Sequence, residues 1–291
     1  MSVPDKRETP EPLVRTAKDY KSGNDPIWCP GCGDYGVLAS LYDMLVAHNY
    51  DPKDVVVVSG IGCSSRLPGF LTTYGFHGVH GRALPIAMGV KLANPQLSVI
   101  VTGGDGDGFA IGGGHIPHMC RRNADLTYIV MDNEIYGLTK GQISPTSPIG
   151  LDTGTTPLGS IERPINPIAM TLIYGATFVA RTYSGKRPDM TKIFIKGIDH
   201  KGFSFIDVYS PCITFYDTYK TWPQKIAPIP EDHDVTDLQA ALKLAMDTEK
   251  MYVGIFYQKE EPTLEQQQEQ MHSESMKYGV PTMENFYEMF R

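Results

Sequence analysis

The chain has 291 residues, of which 41% are hydrophobic, enough for one large α/β domain or two small ones with a filled core. The formal net charge of −7, the isoelectric point near 5.6 and the lack of a basic stripe argue against nucleic acid as a partner. The sequence has no run of about 18 apolar residues, so no membrane span is predicted. The polar N-terminal stretch lacks an apolar signal core, so we expect a cytoplasmic protein.

Strands and helices alternate along the first half of the chain. Residues 1–20 are charged and contain proline, and we expect them to form an extended arm. Apolar spacing then predicts, in chain order, helix 34–48, strand 55–59, a turn and helix over 80–93, strand 97–102, helix 112–122 and strand 126–131. The strands show little apolar–polar alternation, which is typical of strands covered on both faces. The pattern predicts an α/β fold with a doubly wound, mostly parallel sheet and helices on both faces.

The second half of the sequence is less regular. Residues 138–164 are rich in Gly, Pro, Ser and Thr, and a loop this long in a compact domain is usually functional or mobile. The further predicted elements are strand 176–181, helix 189–200, strand 203–209, helix 234–250, and a segment at 251–257 that is either a last strand or an extended arm. The acidic, Gln-rich end from residue 259 is either a solvated helix or a segment that docks on a partner.

Three units are expected from this pattern. They are an N-terminal arm at 1–20, a main domain at 21–230, and a C-terminal helix and tail at 231–291 that packs on the domain or on a partner.

Two polar loops follow neighbouring predicted strands. The stretch Gly104-Asp105-Gly106-Asp107 ends one strand, and Asp132-Asn133-Glu134-Ile135-Tyr136-Gly137 ends the next. In open α/β sheets, ligands bind beyond the carboxyl ends of the strands. Carboxylate and amide oxygens suit Mg²⁺, and glycines let the backbone approach a phosphate closely. Either motif alone is ordinary turn chemistry; together they predict a clamp for Mg²⁺ and a diphosphate, with Asp105 and Asn133 as candidate ligands.

The five cysteines are not expected to form disulfides in a cytoplasmic protein. Cys29 and Cys32 form a Cys-x-x-Cys pair, and Cys63 and Cys212 each follow a predicted strand on the side of the clamp. Four thiolates can hold either a [4Fe–4S] cluster or a Zn²⁺ ion, and spacing does not separate the two. Cys120 lies in a predicted helix and is expected to pack in the core.

These motifs together resemble one family, the β subunits of 2-oxoacid:ferredoxin oxidoreductases, which are thiamine-diphosphate enzymes. The resemblance covers roughly residues 21–222. The matching segments, in family order, are Trp28-Cys29-Pro30-Gly31-Cys32-Gly33, Gly60-Ile61-Gly62-Cys63-Ser64, His80-Gly81-Arg82-Ala83-Leu84-Pro85, the Gly104–Asp107 stretch, and residues 132–146. The resemblance implies a thiamine-diphosphate-binding fold.

The resemblance also implies roles for individual residues. It gives Asp105, Asn133 and the carbonyl of Ile135 as Mg²⁺ ligands. It implies that the following residues contact thiamine diphosphate: Ile61, Gly62, Cys63, Ser64, His80, Gly106, Asp107, Gly137 and Leu138. Cys29, Cys32, Cys63 and Cys212 would bind one [4Fe–4S] cluster, because the family's chemistry needs an electron acceptor near the cofactor.

The implied activity is oxidative decarboxylation of a 2-oxoacid with coenzyme A, with electrons passing through the cluster to ferredoxin. The implied assembly pairs this chain with an α subunit, as αβ or (αβ)₂. Thiamine enzymes place a glutamate near N1′ of the cofactor. The resemblance implies that in this family the α subunit supplies this glutamate. This sequence has no compelling candidate for it.

The substrate is expected to be 2-oxoglutarate, giving succinyl-CoA. The stretch Leu138-Thr139-Lys140-Gly141-Gln142 resembles two-subunit enzymes that take 2-oxoglutarate or a broad range of 2-oxoacids. Lys140 is the expected partner of a substrate carboxylate, with His80 as a second catalytic residue. Arg82 is either a second anion contact or part of an ion pair at a helix start.

The alternatives are an enzyme for pyruvate or a broad range of 2-oxoacids, a non-redox thiamine-diphosphate enzyme with structural zinc, and a non-catalytic subunit that keeps the fold.

Overall fold

A computed structural model describes residues 13–277, 279, 282–288 and 290. The first 12 residues of the predicted arm and the remaining positions of the predicted tail lie outside the described residues. The strands are β1 (Val55–Ser59), β2 (Tyr74–His77), β3 (Ser98–Gly104), β4 (Leu126–Asp132), β5 (Ile135–Tyr136), β6 (Gln142–Ile143), β7 (Phe178–Tyr183), β8 (Phe203–Tyr209), β9 (Ile226–Pro228) and β10 (Met251–Gln258).

The helices alternate with these strands. They are α1 (Asp34–His48), α2 (Ala83–Ala93), α3 (Asp105–Phe109), α4 (Ile116–Arg122), α5 (Pro167–Ile173), α6 (Arg187–Asp199), α7 (Trp222–Lys225), α8 (Leu238–Ala245), α9 (Leu264–Met276) and α10 (Met283–Glu288). No helix within the described residues has the length and apolar character needed to span a bilayer.

Eight strands form one sheet in the order β2-β1-β3-β4-β8-β7-β10-β9, and β5 and β6 form a small ribbon. All neighbouring pairs in the large sheet are parallel except β7 and β10, which run antiparallel. The predicted α/β fold with a mostly parallel sheet is therefore confirmed. The segment left open at 251–257 is a strand of this sheet.

Both faces of the sheet are covered. Val56 and Val58 of β1 pack into one hydrophobic cluster with α2, α4, α5 and α8. Val55 and Val57, which point the other way, pack into a second cluster with α1 and α6. Burial on both faces explains why the central strands are almost wholly apolar.

Two predicted elements need correction, and one short helix was not predicted. The segment at 112–122 begins as a 3-10 turn at Gly113–His115, and the α-helix covers only Ile116–Arg122. The helix predicted over 234–250 is limited to Leu238–Ala245, because Asp237 caps it and the chain turns after Met246. The short helix α3, which carries the Gly-Asp-Gly-Asp motif, was missed.

The described part of the predicted N-terminal arm lies against the domain. Tyr20 is fully buried, and its hydroxyl lies 2.9 Å from the carbonyl oxygen of Leu45 and 2.7 Å from that of Tyr50. Arg15 forms an ion pair with Asp51 at 3.1 Å. The predicted division of the chain into three units stays a prediction.

Candidate active site

Four adjacent parallel strands deliver the candidate residues to one edge of the sheet. β1, β3, β4 and β8 are neighbours, and the loops that follow them carry Cys63, Asp105, Asn133 and Cys212 respectively. Parallel strands end on the same edge, so these four side chains, which are far apart in sequence, come together there.

A cavity of about 550 Å³ opens between these loops; we refer to it as the cofactor cavity. The predicted cofactor and Mg²⁺ residues all line it: Ile61, Gly62, Cys63, Ser64, His80, Asp105, Gly106, Asp107, Asn133, Ile135, Gly137 and Leu138. Gly104, Tyr136, Thr139 and Gln142 complete the wall. The structure therefore places together all the residues that the sequence grouped, while their roles stay predictions.

Asp107 fixes two of the loops that line this cavity. Its Oδ1 accepts hydrogen bonds from the backbone N–H of Ile61 at 2.8 Å and of Gly81 at 2.7 Å. The same oxygen lies 2.9 Å from Nδ1 of His80, whose side chain is 39% exposed. Gly60 has to be glycine, since a Cβ there would overlap the Asp107 carboxylate. Asp107 is thus an anchor for both loops as well as a lining residue.

Buried carboxyl groups collect beneath the predicted Mg²⁺ position. Asp105 is 2% exposed, and burial raises its pKa to about 6, although the hydroxyls of Ser144 and Thr146 lower it. Burial and the neighbouring acids Asp105, Asp207 and Glu134 raise the pKa of Asp132 well above its usual range. Loss of hydration and the neighbouring Asp105 and Asp207 raise the pKa of Glu134 to about 8. This edge of the sheet has more acidic groups than its cations balance.

One cation near these acids, Arg181, is already paired. Arg181 of β7 lies beside Asp207 of β8 in register, and its Nε donates to Asp207 Oδ2 at 2.8 Å. The guanidinium also stacks on the ring of Tyr209, with 4.8 Å between its carbon and the ring centroid. Arg181 pairs with Asp207, and Arg181 and Lys225 also lower the pKa of Glu134. Asp105 is the acid of this group that lines the cofactor cavity, and its raised pKa suits a cation from outside the chain.

A turn at residues 144–147 covers the acidic group from the loop side. Thr146 Oγ1 lies 2.7 Å from Asp105 Oδ2 and 2.8 Å from Asp132 Oδ1. The hydroxyl of Ser147 donates to the carbonyl oxygen of Glu134. The sequence pattern indicates no role for this stretch, because these contacts span up to 41 positions in the chain.

The four predicted cluster cysteines line a second cavity of about 280 Å³, here called the cysteine cavity. It shares Cys63, Asn133, Gly137 and Leu138 with the cofactor cavity, so the two adjoin. Gly137 stands at the boundary: a Cβ there would lie 3.6 Å from Sγ of Cys63 and 3.7 Å from Sγ of Cys212. Burial raises the pKa of the Cys63 thiol to about 11.

Asp34 lies behind the cysteine cavity and was not singled out from the sequence. It is the first residue of α1, just after Cys32, and is 1% exposed. Its Oδ1 accepts a hydrogen bond from the hydroxyl of Ser210 at 2.7 Å. Its Oδ2 has no partner among the described residues. Burial raises the pKa of Asp34 to about 6, against the lowering effect of Ser210 and Cys32.

The remaining cysteine and the two candidate cations have distinct positions. Cys120 is buried in the core between α4 and the sheet, as expected, and burial raises its pKa to about 12. Lys140 is exposed and lines the cysteine cavity beside Leu138. The guanidinium of Arg82 donates to the carbonyl of Ile111 at 3.1 Å, which ties a helix start to the neighbouring loop.

Two protein-family models match the chain. Residues 60–208 match "Thiamine pyrophosphate enzyme, C-terminal TPP binding domain", which names the same cofactor as thiamine diphosphate. Residues 212–273 match the model of the C-terminal part of the β chain of pyruvate ferredoxin oxidoreductase. The fold and the site thus define a thiamine-diphosphate-binding domain of an oxidoreductase subunit.

Individual relatives agree. The 2-oxoacid:ferredoxin oxidoreductase subunit beta of Saccharolobus solfataricus is 46% identical over 250 residues, covering 80% of this chain and 82% of that protein. The 2-oxoglutarate synthase subunit KorB of Methanocaldococcus jannaschii is 46% identical over 190 residues, 65% of this chain and 70% of that one. The chain belongs to the family of 2-oxoacid:ferredoxin oxidoreductase β subunits.

A solved structure shares the fold. The 2-oxoglutarate:ferredoxin oxidoreductase from Magnetococcus marinus, with 2-oxoglutarate, coenzyme A and succinyl-CoA bound, superposes with a TM-score of 0.88 at 45% identity. The match covers 89% of this chain and 90% of that one.

Proposed function

We propose that this chain is the β subunit of a 2-oxoglutarate:ferredoxin oxidoreductase. The enzyme would convert 2-oxoglutarate and coenzyme A to succinyl-CoA and CO₂, and would pass two electrons through a [4Fe–4S] cluster to ferredoxin. The observation that carries the proposal is the shared wall between the two cavities, formed by Cys63, Asn133, Gly137 and Leu138. A cofactor site and an electron acceptor need this proximity if electrons are to pass between them.

The cofactor cavity fits thiamine diphosphate and Mg²⁺ by the chemistry of its donors. Asp105, Asn133 and the carbonyl of Ile135 would hold the cation, whose charge would offset the buried acids beneath it. Gly106 and Gly137 would let the backbone approach the diphosphate. When bound, thiamine diphosphate supplies the nucleophilic carbon and the electron sink that decarboxylation requires.

His80 is the group in this wall that can hold a proton close to the substrate. Its contact with Asp107 favours a proton on Nδ1 and leaves Nε2 as the free ring nitrogen. The anchored carboxylate also fixes the orientation of the ring, as carboxylates do for functional histidines. We assign His80 the role of accepting a proton at Nε2 within the cofactor cavity.

The cysteine cavity would hold the cluster through Cys29, Cys32, Cys63 and Cys212. Four thiolates can supply one ligand to each iron of a four-iron cluster. The cluster is favoured over zinc because Cys63 lines both this cavity and the cofactor cavity, where the proposed chemistry needs an electron acceptor.

Lys140 would bind a carboxylate of the substrate. Lys140 lines the cysteine cavity next to Leu138, and Leu138 lines both cavities. The long side chain of Lys140 can therefore reach the boundary between them. The choice of 2-oxoglutarate is supported by the KorB relatives and by the Magnetococcus structure, which has 2-oxoglutarate bound. An α subunit, ferredoxin and coenzyme A are the proposed partners.

Anaerobic visible and EPR spectroscopy of the purified αβ complex tests the proposal. Addition of 2-oxoglutarate with coenzyme A should reduce the cluster. Pyruvate with coenzyme A is the comparison: reduction by pyruvate alone would keep the family activity and refute the substrate. Absence of iron and sulfide from an anaerobic preparation, with zinc present, would refute the redox function.

Two cysteine variants test the assignment of the cluster ligands, one at a proposed ligand and one at a matched control position. Cys212→Ala should abolish the visible absorption of the cluster while the far-UV circular dichroism is kept. Cys120→Ala removes a buried thiol outside the cavity and should leave the cluster spectrum unchanged. Wild-type absorption in Cys212→Ala would show that another residue provides the fourth ligand.

A further inference from the structure

The turn formed by Ser144, Pro145, Thr146 and Ser147 is held shut by its own bonds. The N–H of Ser147 donates to the carbonyl of Ser144 at 3.1 Å, and the N–H of Ser144 donates to the hydroxyl of Ser147 at 2.8 Å. Thr146 is 5% exposed, and both serines are also buried. These hydrogen bonds restrict the backbone dihedral angles of a buried turn that has three hydroxyl groups, so the turn is rigid. We refer to residues 144–147 as the platform.

This platform contacts both loops that carry the proposed Mg²⁺ ligands. Thr146 Oγ1 lies between Asp105 Oδ2, after β3, and Asp132 Oδ1, at the end of β4. Ser147 bonds the carbonyl of Glu134, the residue between Asn133 and Ile135. The N–H of Glu134 in turn donates to Asp132 Oδ1 at 3.0 Å. β3 and β4 are paired up to Gly104 and Met131, and beyond that point this turn bridges the two ligand loops through their side-chain and carbonyl oxygens.

Two carboxyl groups within reach of one hydroxyl repel each other when both are charged. The single proton of the Thr146 hydroxyl can be donated to one carboxyl oxygen at a time, while the hydroxyl oxygen stays in contact with the other. This contact places Asp105 relative to the end of β4 before a cation binds. Groups of this kind, which bond to metal ligands without binding the metal, commonly change metal affinity by about 10–100-fold.

We propose that Thr146 is a positioning residue, which sets the affinity of the site for Mg²⁺ by holding Asp105 at a fixed distance from the loop of Asn133. The inference rests on the proposed function, since it concerns the same cation. It assigns no contact between Thr146 and the substrate.

The test is isothermal titration of the αβ complex with Mg²⁺ at a fixed, saturating concentration of thiamine diphosphate. Thr146→Val keeps the shape of the side chain and removes its hydroxyl, and the dissociation constant for Mg²⁺ should rise about 10–100-fold. Thr146→Ser restores the hydroxyl and should return to within about threefold of wild type. At saturating Mg²⁺, kcat should stay close to wild type, because the chemistry itself does not use Thr146.

Thr156→Val is the matched control. Thr156 lies in the same long loop, and its hydroxyl bonds the carbonyl of Leu151 at 3.2 Å, away from the acids. This variant should bind Mg²⁺ like wild type. Wild-type Mg²⁺ affinity in Thr146→Val would overturn the inference, and so would failure of Thr146→Ser to recover.

Three outcomes distinguish a failure of the inference about Thr146 from a failure of the proposed function. If Thr146→Val does not fold, Ser147→Ala tests the platform through Glu134, and an unchanged dissociation constant there would overturn the inference. If the wild-type complex binds no thiamine diphosphate with Mg²⁺, the proposed function fails and the inference fails with it. If wild type binds both but Thr146→Val binds equally well, only the inference fails.

Discussion

Single carboxylates at this site have different functions that their sequence positions do not reveal. Asp105 and Asp107 are two residues apart, yet Asp105 lies among acids and Asp107 accepts three donors with one oxygen. The difference comes from the surroundings of each group. Asp105 is suited to a cation, and Asp107 is suited to hold loops and a histidine ring.

Asp107→Asn should lower both the stability of the protein and the affinity of the cofactor site for thiamine diphosphate. Hydrogen bonds to a charged group contribute about 1.5–3 kcal/mol each, and an amide keeps only part of this for Ile61 and Gly81. We expect a lower melting temperature and a higher dissociation constant for thiamine diphosphate. Asp152→Asn, at an exposed loop position, makes the same chemical change and should alter neither measurement.

Asp34→Asn should raise the reduction potential of the cluster. A buried negative charge disfavours the addition of an electron nearby, so its removal should favour reduction. One unit charge acting through an effective dielectric constant of about 20 corresponds to a shift on the order of tens of millivolts. Anaerobic EPR-monitored redox titration of the complex measures it; a potential equal to or below that of wild type would contradict the prediction. The isosteric amide keeps one acceptor for the hydroxyl of Ser210.

At the level of elements, short helix α3 depends on its neighbours rather than on its own sequence. Asp-Gly-Asp-Gly-Phe has low helix propensity, and two of its five residues are glycine. The hydroxyl of Tyr136 donates to the carbonyl of Gly106 at 3.1 Å. A Cβ at Gly106 would fall on the ring of Tyr136. The helix and the small ribbon of β5 therefore fit together only without a side chain at this position.

Gly106→Ala should displace Tyr136 and deform the ribbon that carries Ile135. Overpacking of this kind costs about 1–3 kcal/mol. We expect a lower melting temperature and loss of thiamine diphosphate binding, both measurable by thermal shift with and without the cofactor. Gly113→Ala, in the 3-10 turn that follows, meets no atom within 4 Å and should leave both readings near wild type. A cofactor-induced shift of wild-type size in Gly106→Ala would count against this packing argument.

Elements were predicted correctly from the sequence where the pattern that defines them is local, and were missed where they depend on residues distant in the chain. Strands β1 and β8 lie where the apolar runs indicate, because burial on both faces leaves a local pattern. Helix α3 was missed because its conformation depends on Tyr136, 30 positions away. The extent of α8 was overestimated because several acidic residues precede it and only Asp237 caps it. Thr146 lies in the segment that resembles the family, but its role could not be assigned from the sequence, since its partners lie on other loops.

At the scale of the whole molecule, the cofactor cavity is a one-sided site. Its lining residues in the described part of the chain include two acids, Asp105 and Asp107, and no glutamate. Asp105 is engaged by Thr146, and Asp107 by His80 and two backbone groups. Both acids are thus engaged in contacts within this chain, which supports the expectation that a second chain supplies the group that promotes deprotonation of the cofactor.

The isolated chain should therefore bind the cluster but not catalyse decarboxylation. Release of ¹⁴CO₂ from 1-labelled 2-oxoglutarate would be measured for this chain, for the α subunit, and for the two mixed, with a redox dye as electron acceptor. We expect release above background only from the mixture. Cluster absorption in the isolated chain serves as the folding control, because its four proposed ligands belong to this chain alone. Decarboxylation by the isolated chain would mean that the catalytic constellation is complete here, and would require a base among residues that otherwise act as anchors.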